Sequence, residues 1–160
     1  LSGTADADLV AANPDYKSFN PLFDTGHKFY GFMDLYLGVG GGGAANGTAG
    51  LGLQDLAIKT KLHPMPGWTL KADFHWFWVA EGVAPNRNRG LAGNIADANS
   101  PPNTNELGNE LDLTLIHKYN ANTKISFGFS NYTTTTAFRD LRNVIGNASN
   151  WAYVMFDVKF

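Results

Sequence analysis

After residue 50 the chain alternates between apolar and polar residues with a period of two, the spacing that sends successive side chains of an extended strand to opposite faces. Between Leu51 and His63, Leu56, Ile58, Thr60 and Leu62 share one face, and Asp55, Ala57, Lys59, Lys61 and His63 share the other. Trp68–Glu81 repeats the pattern, with Leu70, Ala72, Phe74, Trp76 and Trp78 opposite Thr69, Lys71, Asp73, His75 and Glu81. Asn109–Tyr119 sets Leu111, Leu113, Leu115 and Tyr119 against Glu110, Asp112, Thr114 and Lys118. Lys124–Tyr132 sets Ile125, Phe127 and Phe129 against Ser126, Gly128 and Ser130. Asn150–Phe160 sets Ala152, Val154, Phe156, Val158 and Phe160 against Tyr153, Asp157 and Lys159. Five strands are predicted, each near the ~9–11 residues that cross a bilayer when tilted.

The connections alternate too. Residues 63–67 and 120–122 make short turns, whereas 82–108 and 133–149 are long, polar and rich in Gly, Asn and Pro. Residues 1–50 hold no sustained period and include a glycine-rich tract at 40–50. They read as one long outer loop, which could fold into a lumen as a constriction through Phe29, Tyr30, Phe32 and Tyr36. A sixth strand over 28–39 is the alternative.

Composition narrows the class. Only 16% of the 160 residues are charged, well below the roughly 25% of an ordinary soluble domain. The net charge of −2 selects for neither nucleic acid nor acidic polymers. The absence of cysteine excludes a disulfide scaffold, a thiol nucleophile and thiolate metal sites. No stretch approaches the ~18–20 apolar residues of a membrane-spanning helix, which leaves the membrane β-barrel open.

Alternation alone does not say which face meets water. In a soluble sandwich the apolar faces would line a core; in a membrane barrel they would meet lipid while the polar faces line an aqueous lumen. Three features favour the barrel. Aromatics gather at strand ends, with Trp68, Tyr119 and Phe160 on the short-turn side and Trp76, Trp78, Tyr132 and Trp151 on the long-loop side, as two interfacial girdles would require. The apolar faces are nearly free of charge, and a Lys or Arg there would cost roughly 2–4 kcal/mol at the midplane. The chain also ends in alternating residues with Phe156, Val158 and a terminal Phe160. That ending resembles the insertion signal read by the barrel-insertion machinery of bacterial outer membranes.

Phe19-Asn20-Pro21-Leu22-Phe23, then Gly26-His27-Lys28-Phe29-Tyr30-Gly31-Phe32-Met33-Asp34, resembles a stretch of the alginate-export family of outer-membrane porins. Leu53-Gln54-Asp55-Leu56, Leu70-Lys71-Ala72-Asp73-Phe74-His75 and Glu106-Leu107-Gly108-Asn109-Glu110-Leu111-Asp112-Leu113 continue the likeness in order. It implies an all-β, antiparallel transmembrane β-barrel in the bacterial outer membrane, of which this chain supplies the five or six C-terminal strands. Bacterial single-chain barrels need at least eight strands, so further strands from the same chain or from other copies are expected. The expected function is passive diffusion or export of small or anionic polymeric solutes, without a cofactor. The expected partners are outer-membrane lipid, lipopolysaccharide, the insertion machinery and the solute, and no nucleic acid. The competing readings are an outer-membrane scaffold or adhesin with a plugged lumen, and a soluble β-sandwich binding module.

No catalytic or metal-binding constellation stands out. His27, His63, His75 and His117 lie on separate segments without ligand spacing. On the barrel topology, Lys59, Lys61, Lys71, Lys118, Lys124 and Lys159 project inward toward the short-turn end, while Asp73, His75, Glu110 and Asp112 complete the lumen lining. This gathering of positive charge would concentrate anionic solutes. The alternative is a ladder of cross-strand ion pairs, such as Lys71 with Asp55 or Asp73, that stiffens the wall. Arg87, Arg89, Arg139 and Arg142 fall in the outer loops, where they could meet lipopolysaccharide phosphates or solute.

Overall fold

The computed structural model describes residues 30–36, 47–48, 50–84, 104–142 and 146–160. Within them five antiparallel strands follow one another across a single sheet: β1 (Leu53–Leu62), β2 (Trp68–Val83), β3 (Thr104–Lys118), β4 (Thr123–Thr134) and β5 (Ala148–Val158). Sequence neighbours are spatial neighbours throughout, an up-and-down order in which short turns at 63–67 and 119–122 join β1 to β2 and β3 to β4.

Register brings the two faces into alignment across the whole sheet. On one face Ile58 lies opposite Phe74 and Phe74 opposite Leu111; Leu62, Leu70, Leu115, Phe127 and Val154 form another continuous row. On the other, Lys59 opposes Asp73, Asp73 opposes Asp112, and Asp112 opposes Ser130. Between Asn109 and His117 the apolar face of β3 carries no Asp, Glu, Lys or Arg.

Two elements depart from the alternating pattern. β3 begins at Thr104, well before Asn109, because the pairing shifts between Phe77 and Trp78: Phe77 pairs with Gly108 and Trp78 with Glu106. The extra residue, Leu107, is fully buried, and a bulge of this kind breaks the period that marks a strand in sequence. Within residues 133–149, expected to be a polar loop, Thr136–Arg142 forms a helix, α1. Thr135 caps it: its hydroxyl accepts from the Phe138 N–H at 3.3 Å and donates to the Leu107 carbonyl at 3.0 Å. Arg139 and Arg142 in the last turn suit the helix dipole. Seven residues are too few for a helix to persist alone, so packing through Ala137, Phe138 and Leu141 holds it.

Among the described residues one apolar cluster forms on the polar face, at the end away from the short turns. Phe77, Val79 and Val83 from β2, Leu107 and Tyr132 from β3 and β4, and Phe138 and Leu141 from α1 pack with Tyr36 and Leu51. Residues 30–36 run across this face as turns, with no strand in them, so the sixth-strand alternative fails over those residues; 28–29 and 37–39 lie outside the described residues.

Candidate functional site

The polar face divides into two zones. At the short-turn end it is open and basic. Lys61 sits directly opposite Lys71, and Lys118 directly opposite Lys124. Like charges placed directly opposite one another destabilise a sheet, so these pairs work against the pairing that creates them. They line an open recess of about 730 Å³ together with Thr69 and Ile116. Of the nearby carboxylates, one is engaged outside the recess and one reaches a recess lysine. Asp73 pairs with Lys59 at 3.4 Å, and Asp157 approaches Lys124 at 4.0 Å. Lys71 pairs with neither Asp55 nor Asp73, the two partners expected for it; Asp55 instead accepts from or binds His75 Nδ1 at 2.8 Å. Lys159 is exposed beyond β5, where its N–H donates to the Asn122 carbonyl at 2.9 Å.

Toward the other end the same face is covered. His75, Glu110 and Ser130 are fully buried and Asp112 is 1% exposed. The cover is residues 30–36, which donate two consecutive backbone N–H groups to the sheet: Phe32 to Asp112 Oδ2 at 3.2 Å and Met33 to Glu110 Oε1 at 2.9 Å. Ser130 donates to the other Asp112 oxygen at 2.5 Å. Gly31 makes the approach possible. It adopts φ +83°, and a Cβ there would come within 2.5 Å of the Glu110 carboxyl. A second glycine opens room at the far edge, where Gly128 lies opposite Tyr153 and under its ring.

The cover is fastened at two further points. The Tyr36 and Tyr132 hydroxyls hydrogen-bond to one another, and Tyr132 donates to the Leu107 carbonyl at 3.1 Å. Burial pushes the Tyr36 phenol far above its ordinary range, so it stays a neutral partner. Arg142 spreads its guanidinium over two carbonyls, Leu35 at 2.9 Å and Gly47 at 3.3 Å.

Several sequence expectations are changed by this geometry. Tyr132 and Trp151 do not belong to an interfacial girdle: they lie opposite Glu110 and Ser130 on the polar face, and Tyr132 is fully buried. Their even and odd positions in β4 and β5 already carried that information. Arg142 holds the cover, and Arg139 binds Asn147 Oδ1 at 3.0 Å and Thr136 Oγ1 at 2.9 Å, so both are tied into the fold around α1. Arg87, Arg89 and Phe29 lie outside the described residues. Phe156, Val158 and Phe160 are exposed along and just beyond β5. The Tyr36–Tyr132 pair and the Asp55–His75 contact had no signal in the sequence beyond shared parity. Among the described residues no three His, Asp or Glu side chains converge to hold a metal ion.

A scan against protein-family models found no match, and neither did searches of curated proteins or of solved structures.

Proposed function

We propose that this chain is a sector of the wall of an outer-membrane pore, with its apolar face toward lipid and its polar face toward an aqueous lumen that passes small or anionic solutes. One observation carries this reading. The sheet is inverted relative to a water-soluble one: Ile58 is 58% and Phe129 42% exposed, whereas His75, Glu110 and Asp112 are buried. A soluble domain would have to leave that apolar face uncovered, and contiguous patches of this kind mark contact with another apolar phase. On β2 the band from Trp68 to Trp78 spans about 33 Å along the strand, or roughly 25 Å vertically at a tilt of ~40°, the height of a barrel's apolar belt. Trp68 stacks on His117 at 4.2 Å at one border, where the cost of a polar ring near lipid is small.

Among the described residues β1 and β5 each have an unpaired edge. Backbone groups cannot remain unpaired in lipid, so the pore requires further strands on both edges. The resemblance to the alginate-export family agrees with an anionic solute, as does the open lysine recess.

The test is electrophoretic and electrical. Protein taken from outer membranes should migrate differently before and after boiling and should conduct in a planar bilayer. Migration that ignores heating, in a protein that stays dispersed without detergent, would overturn the reading. Replacing Lys61, Lys71, Lys118 and Lys124 together by glutamine should lower anion preference on the order of tenfold at low salt, with the effect fading above ~0.1 M. Unchanged ion selectivity would reduce the lysines to surface charge. A second reading, a scaffold or adhesin with a plugged lumen, is favoured by the packed layer on the polar face; an inserted barrel without conductance would select it.

A further inference from the structure

We propose that Glu110, beside Asp112, acts as a proton-dependent latch for residues 30–36: the segment stays docked while Glu110 holds a proton and detaches when Glu110 ionises next to the Asp112 carboxylate. The two acids stand two residues apart on one face of β3, and the consecutive N–H groups of Phe32 and Met33 grip one oxygen of each. Both are buried by the segment they hold. The second Glu110 oxygen, Oε2, has no hydrogen-bond partner, and neither has His75 Nε2 directly opposite in the ladder.

The surroundings supply little compensation for a second negative charge. From β2 and β1, His75 faces Glu110 with its Nδ1 held by Asp55, and Asp73 faces Asp112 with its charge met by Lys59. From β4 come Ser130 and the neutral hydroxyl of Tyr132, and from β5 Trp151 beyond Ser130. The segment itself brings Tyr30, Asp34 and Tyr36. From α1, whose Asp140 is buried and whose Arg139 is held by Asn147 and Thr136, Arg142 reaches the cover through the Leu35 and Gly47 carbonyls. Two carboxylates confined together repel when both are charged. In the released state water solvates both carboxyls, so Glu110 no longer needs the proton that confinement beside Asp112 imposes. Docking therefore takes up a proton, and by linkage it weakens as pH rises.

This inference does not depend on the pore reading, because it concerns the contact between the segment and the sheet; a protein without conductance could still show it. The chain has no cysteine, so single thiols report cleanly. In the full chain in detergent, Met33→Cys is labelled with a maleimide, and its rate is divided by that of Met65→Cys on the exposed turn to remove the thiol's own pH dependence. The ratio should rise at least tenfold between pH 6 and pH 9. With Glu110→Gln added it should stay low and flat. Asp112→Asn, which breaks the same pair, should flatten the ratio as well and serves if Glu110→Gln does not fold. A flat ratio in the protein with both acids would overturn the latch. So would a rise that survives both substitutions, or one that disappears only with His75→Gln. Hydrogen exchange at the Phe32 and Met33 amides of the unsubstituted protein, corrected for intrinsic rate, should show the same loss of protection with rising pH.

Discussion

Phe129→Arg is expected to abolish stable insertion into a bilayer while leaving the polar face untouched. Phe129 stands mid-sheet on the apolar face, between Leu113 and Ala152, and 42% of it is exposed. In lipid an arginine at that depth costs roughly 2–4 kcal/mol. That corresponds to about a thirty- to thousandfold shift in the folding equilibrium. In water the same position would be an ordinary surface site, where substitutions change stability by about 0.5 kcal/mol or less. The two readings of the sheet therefore give opposite results for one residue. Folding into vesicles titrated with urea measures the difference, with Lys71→Arg on the polar face as the control. A Phe129→Arg protein that folds into vesicles as well as the parent would show that this face does not meet lipid.

Phe77→Ala is expected to free the layer that covers the long-connection end. Phe77 is fully buried, and its ring lies 4.7 Å from Tyr36 and 6.2 Å from Tyr132. Truncating a buried phenylalanine costs about 3–5 kcal/mol, most of it from lost packing and the cavity left behind. The loss falls on contacts between the sheet and its cover, because the ladder of β2 with β1 and β3 is made by the backbone. Residues 30–36 should become sensitive to protease, and on the proposed pore reading conductance should rise while any change in migration on boiling persists. On that reading, unchanged conductance with released residues 30–36 would mean that this segment does not form the constriction. Unchanged proteolysis would mean that Arg142 and the two carboxylates hold the segment without the aromatic cluster.

The strands were legible because alternation is a local property. The faces of β1, β2, β4 and β5 follow directly from Leu56-Ile58, Phe74-Trp76, Phe127-Phe129 and Val154-Phe156, and the register extends each face across its neighbour. What was illegible broke the period or joined distant segments. The bulge at Leu107 hid the first residues of β3, and α1 is too short to display a helical period. Lys59 and not Lys71 pairs with Asp73 because Lys59 is its direct partner in the register, which a list of charges on one face cannot reveal.

The chain's own order of residues determines five amphipathic strands, their antiparallel succession and the separation of charge from apolar surface, since each depends on residues a few positions apart. Tertiary structure alone decides which face is covered and by what. Met33 reaches Glu110 across 77 residues, Phe32 reaches Asp112 across 80 and Arg142 reaches Leu35 across 107. These contacts need the sheet, because the two carboxylates share a face only where β3 is extended between β2 and β4. The polar face is thus open beside the lysines and closed over the acids, a division that no local period encodes.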